Sequence, residues 1–154
     1  LFVIVHGLEN AGALDILAEK VVGFTEGAAN SAEVTTRLSI AVLWVSAVAS
    51  AIVDNIPFVA TMIPTLKTAF IQLSEQGSVL DLDQQHTIWW SLSLGACLGG
   101  NGSLIGASAN LIVAGFAERA GSPIRFLTFL KHAFPLMLFS VAIATVYIYL
   151  RYLI

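Results

Sequence analysis

Charge is what this sequence has least of. Only 11% of its 154 residues are Asp, Glu, Lys or Arg and 57% are hydrophobic, where soluble domains carry roughly 25% charged residues. Apolar runs at 37–53, 87–98 and 132–150 would need polar cover on every side, and too few polar residues remain to give it. Lipid is the simpler cover. The seven basic residues are scattered and the net charge is −3, which leaves no footprint for nucleic acid as a partner. A single cysteine, Cys97, excludes a disulfide framework and a thiolate metal cluster; inside an apolar run it reads as a small buried hydrophobe. His6, His86 and His132 lack ligand spacing, so no metal site is expected. No nucleophile, base and orienting acid stand together, and enzyme chemistry has no support. An initiator methionine is missing too, and the opening "LFVIV" reads as the inside of an apolar helix. The chain is therefore expected to be a piece of a longer protein, for which a missing signal peptide carries no meaning.

What is there describes an all-α, multi-pass membrane protein. Residues 1–8 read as the end of a spanning helix, closed by Gly7 and the Glu9, Asn10 and Gly12 cluster. Over 13–24, Leu14, Leu17, Val21 and Phe24 share one face, the pattern of an interfacial helix. A small-residue loop at 25–33 offers Asn30 or Ser31 as a helix cap. The apolar runs 37–53 and 57–71 are both shorter than the ~20 residues of a full crossing. Joined by a tight polar break, they suggest a re-entrant hairpin over 34–72, dipping to mid-membrane and returning. Two thin spanning helices with a surface turn, or one long helix kinked at Pro57, compete with it.

After an acidic loop at 74–85 without Lys or Arg, a broken transmembrane helix is expected over 86–120, with Trp89 and Trp90 at its mouth. An interfacial connector at 122–132 carries Arg125 and Lys131, and a last spanning helix at 133–153 ends in a belt of Tyr149, Arg151 and Tyr152. The positive-inside rule puts 119–131 in the cytoplasm and the acidic loop and C-terminus outside, with Arg37 an exception on the outer side.

The stretch "IVDNIPFVATMIP" at 52–64 carries the first functional signal. A charged group at membrane depth costs at least ~2.5 kcal/mol, so Asp54 needs compensation. Pro57 suits the first turn of the second hairpin helix and is expected to push Ile56 out of helical geometry. Two helix ends then meet, one offering free carbonyls and the other free N–H groups. That junction is an ion or substrate site, with Asp54 and Asn55 adding side-chain oxygens. "GGNGSLIGASAN" at 99–110 crowds glycines that weaken a helix by ~1 kcal/mol each. The unwound backbone would supply carbonyls, and Asn101, Ser103, Ser108 and Asn110 polar side chains. A hairpin tip facing an interrupted helix is the general form of a secondary transporter's binding site.

Plainer explanations compete with these. Gly95, Gly99 and Gly115 also fit close helix packing through small residues, and Asp54 could simply cap a turn. "GNGSLIG" follows no strand and lacks a phosphate-loop lysine. Asn101-Gly-Ser matches a glycosylation acceptor that membrane burial would disable.

At these motifs, "SAIVDNIPFVATMIP" (50–64) and "GACLGGNGSLIGASANLIVAGFAE" (95–118), the chain closely resembles permeases of the ion transporter superfamily. Its nearest branch looks like the melanosomal P protein and arsenite-permease-like group, with a citrate-transporter-like domain. Divalent anion:sodium symporters and NhaD-type sodium/proton antiporters are more distant. The kinship implies two inverted repeats, each with a re-entrant hairpin and a discontinuous helix, in a homodimer; this chain matches the second, C-terminal repeat. An N-terminal repeat of the same protein would then be its partner, and so would an ATPase if it works as some arsenite permeases do. In the symporters a Ser-Asn-Thr signature marks the hairpin tip, and Asp54, Asn55 and Ile56 stand at the matching positions. The added carboxylate suits cation or proton coupling and counts against dicarboxylate binding through that motif. Gly106, Ala107, Ser108, Ala109 and Asn110 resemble the unwound segment that completes a cation site.

The expected function is an ion-coupled permease for an inorganic or organic anion or arsenite. Sodium or a proton would serve as coupling ion, with Na+ held around Asn55 and Gly106. Its rivals are a sodium/proton antiporter using Asp54 and a non-transporting membrane scaffold. The expected location is the plasma membrane if the source is bacterial and an organelle membrane otherwise.

Overall fold

The computed structural model describes residues 13–153, and every regular element among them is helical. The spanning end expected over 1–8, with His6, lies outside the described residues. The order is α1 (Ala13–Gly23), α2 (Ser31–Ile52), α3 (Asn55–Glu75), α4 (Leu82–Gly99), a 3-10 turn (Gly100–Gly102), α5 (Ser108–Arg119) and α6 (Phe126–Ile148), which runs on into a π turn (Tyr149–Leu153).

Local chemistry sets the ends. Asn30 Oδ1 accepts from the Glu33 backbone N–H at 2.8 Å, and the Glu33 carboxylate accepts from Ala29 N at 2.9 Å, so α2 starts under a reciprocal cap. At the start of α4, Asp81 and Gln84 form a full capping box, each side chain accepting from the other's backbone N–H. Gly77 and Gly121, at φ +86° and +78°, close α3 and α5 in the left-handed region that side chains avoid.

Helices α2 and α3 have 22 and 21 residues. Both exceed the apolar runs that mark them, because polar first and last turns such as Ser31–Thr36 still satisfy their backbone by helix bonding. With α6, they are long and apolar enough to cross a membrane. Two expected boundaries differ. Ile56 is helical, the second residue of α3, because its geometry before Pro57 is tolerated in a first turn. The segment 122–132 is not a separate connector: residues up to Arg125 are irregular, and α6 then runs unbroken through Pro135. That proline removes one backbone bond, which spanning helices absorb.

Helices α2 and α3 form an antiparallel hairpin, with Val42 beside Met62 near the turn and Val34 beside Leu73 at the open end. Parallel to α2 lies α4, Gln84 reaching Ser31 at one end and Gly99 pressed on Ala47 towards the other. A Cβ at Gly95 or Gly99 would strike the Leu43 or Ala47 carbonyl oxygen, so the two backbones touch. This is packing through small residues, whose force in lipid is van der Waals contact. Gly115 has nothing within 4 Å of an added Cβ and serves no such contact.

Against the other flank of α2, α6 runs antiparallel. Trp44 Nε1 donates to Thr145 Oγ1 at 3.1 Å, and Met137, Val141 and Ala144 pack on Leu43, Ala47 and Ala51. The hairpin turn thus lies level with Met137, some three helical turns, ~16 Å, inside the start of α6. Among the described residues, α5 is the one α-helix that buries none: Leu111, Ile112, Val113 and Phe116 are all exposed.

Candidate functional site

Helix α2 ends at Ile52. Val53 is extended (φ −115°, ψ 139°), and Asp54 is the N-cap of α3, its Oδ1 accepting from Ile56 N at 3.2 Å. Asp54 therefore does cap a turn, and this uses one carboxylate oxygen. Pro57 lacks an N–H at a position where the helix offers no acceptor.

The second interruption is docked on the first. Ser50 Oγ donates to the Ala96 carbonyl at 2.7 Å, and Ser103 Oγ donates to the Ala51 carbonyl while accepting from Gly106 N at 3.1 Å. Asn110, in the first turn of α5, donates through Nδ2 to the carbonyls of Gly100 and Ser103, both at 3.0 Å. These bonds fix an unwound segment that would otherwise leave backbone groups unpaired. Gly106 is buried where a Cβ would stand 2.7 Å from the Ser50 carbonyl oxygen, and Gly102 lies beneath Met137. The Asn55 amide faces the break, its Nδ2 3.6 Å from the place a Cβ would take on Gly100.

Of the residues expected at the site, Asn55, Ser103, Gly106 and Asn110 come together at the break, and half-buried Asp54 adjoins them at the tip. Ala107 caps α5 without a side-chain bond, and Ser108 opens that helix exposed. Asn101 is exposed, and Ile56, at 64% exposure, faces the space between α3 and α4. Ser50 and Gly100, which lie within the quoted motifs without being singled out as site residues, belong to the site, and so does Met137, which no motif contains. Ser50, a hydroxyl four residues before Asp54, was the legible signal; Met137 had none. Cys97 departs from expectation. It is exposed, because the buried stripe of α4 runs through Ile88, Ser91, Leu92, Gly95, Ala96 and Gly99, and position 97 falls on the opposite face.

The arrangement offers both signs. The free Asp54 oxygen and the break's carbonyls suit a cation; the first-turn N–H groups of α3 and α5 suit an anion.

Over residues 1–95 the sequence matches the family model described as citrate transporter. The chain belongs to the citrate transporter family. Along its whole length this family member is 39% identical to an uncharacterized transporter of Mycobacterium bovis. It is 36% identical over 154 residues to the P proteins of Sus scrofa and Homo sapiens. The similarity therefore extends past the family match, across the glycine break and α6. The chain spans 33% of the mycobacterial relative and 17% and 18% of the P proteins. No solved structure matches it.

Proposed function

We propose that this chain forms the solute-binding repeat of an ion-coupled secondary transporter that works by alternating access. The observation that carries this is the docking of the hairpin tip on the unwound segment, with Asn55 over Gly100 and Ser103 bridging to Ala51. Irregular backbone at membrane depth is tolerated only beside protein or a water-filled cavity. The level of Met137 supports a hairpin that is re-entrant, its tip turning well short of one end of α6. Membership of a family named for citrate favours an organic anion; an inorganic anion or arsenite fits the same donors. Sodium would be held by Asp54, Asn55 and the carbonyls near Gly106, or a proton would neutralise the Asp54 carboxylate. An inverted repeat of the same polypeptide would supply the facing wall, within a homodimer, and an ATPase subunit is a further candidate partner.

The second candidate is a sodium/proton antiporter with Asp54 as the exchanging carboxylate, favoured by the oxygen that the cap leaves uncommitted. Full-length protein in liposomes separates them. Citrate- or arsenite-dependent uptake supports the permease, sodium-for-proton exchange without added anion supports the antiporter, and no flux of either kind leaves a membrane scaffold.

A further inference from the structure

Three hollows follow one another along the outer face of α4, neighbours sharing lining residues. Where α2 and α4 begin and α6 ends, a polar recess of about 410 Å³ is walled by Asp83, Gln84, His86, Trp90, Arg151 and Tyr152, among others. His86 and Trp90 also wall a neighbouring hollow of about 350 Å³ with Trp89 and Ser93. Trp89 and Ser93 in turn open an apolar groove of about 540 Å³ between α3 and α4, which passes Ile63, Val59 and Cys97 to reach Asn55. Taken in order along α4, the three hollows pass from a polar mouth to an apolar body. From Asp83 to Cys97 they cover ~21 Å of helix, about the depth of one leaflet of a bilayer that is ~40–45 Å thick with its headgroups.

The mouth carries both charges. The Arg151 guanidinium lies 5.3 Å over the Tyr152 ring and forms no ion pair among the described residues. Gln84 is committed to the Asp81 cap, and the Thr35 and Thr87 hydroxyls donate to backbone carbonyls within their helices. Among the described residues, Arg151, the Trp90 indole, His86 and the Asp83 carboxylate have no side-chain hydrogen-bond partner and face the recess. A cation and a carboxylate in one recess complement a zwitterion, and Trp90, Tyr149 and Tyr152 are the aromatics that settle at headgroup level. We propose that the three hollows together form a phospholipid site for a phosphatidylethanolamine. Its phosphate sits at Arg151, its ammonium at Asp83, and one acyl chain lies in the α3–α4 groove against Ile63, Val59 and Cys97, short of Asn55.

The test uses full-length protein in mild detergent. Native mass spectrometry should find phosphatidylethanolamine retained over phosphatidylglycerol and phosphatidylcholine. Arg151→Ala should cut retention about fivefold, Asp83→Asn should erase the preference over phosphatidylglycerol, and Ala60→Phe should lower retention of all three by filling the groove. Maleimide modification of Cys97 in the unmutated chain gives a readout that no variant's folding can confound. It should proceed in delipidated protein and slow when phosphatidylethanolamine is added, but not with soluble glycerophosphoethanolamine. A Cys97 that stays unreactive after delipidation means polypeptide fills the groove, and the proposal fails. Equal retention of the three lipids, or protection by the soluble headgroup, overturns it as well.

Discussion

Asn55 and Asn110 are the same residue type with different work at the glycine break. Asn110 gives both amide hydrogens to the Gly100 and Ser103 carbonyls, so it braces the segment. Replacing it with Ala removes two hydrogen bonds worth about 1 kcal/mol each. Asn110→Ala should lower the thermal midpoint of the full-length protein measurably, with transport falling in step. At Asn55 the amide is turned to the break and makes no hydrogen bond among the described residues, so Asn55→Ala should abolish flux while insertion and thermal midpoint stay near normal. Asp54→Asn keeps an oxygen to cap α3 and removes the charge; it should leave folding intact and abolish ion-driven transport. Undiminished flux in either tip variant would remove that residue from the mechanism.

At the scale of elements, the seam between α2 and α4 divides the glycines by use. Gly95 and Gly99 meet the carbonyls of Leu43 and Ala47, whereas Gly115 meets open space. Gly95→Leu or Gly99→Leu should force the helices apart, at a cost beyond the ~1–3 kcal/mol usual for overpacking, and reduce the yield of folded protein. Gly115→Leu should be close to neutral or slightly stabilising, since leucine is the better helix former. Melting curves of the three variants would check the contrast, and equal losses at all three positions would contradict the seam. The hairpin has its own measurement. A spin label at Val53, which is 48% exposed beside the turn, should report mid-bilayer depth if the hairpin re-enters and headgroup depth if both arms cross fully.

For the whole molecule, one end gathers the acidic loop before α4 with the π turn, and the other carries Arg119, Arg125 and Lys131 around the start of α6. Impermeant labelling of cysteines placed at Ser78 and Ser122 should therefore report opposite membrane faces, Ser122 being cytoplasmic. The sequence by itself determined the membrane class, the two interruptions and the family, because composition, Pro57, the Asp54-Asn55 pair and the glycine cluster act through local chain chemistry that needs no partner. It misjudged helix lengths and expected a connector before α6, because apolar runs record what lipid prefers and not where backbone bonding stops. Only the tertiary structure decided which glycines pack and which unwind, which face of α4 buries its residues, and that Cys97 looks outward. It also decided that Met137 and Ser50 join the break. Those outcomes depend on the rotation and register of one helix against another, which are fixed by contacts between residues as far apart as Ala51 and Ser103.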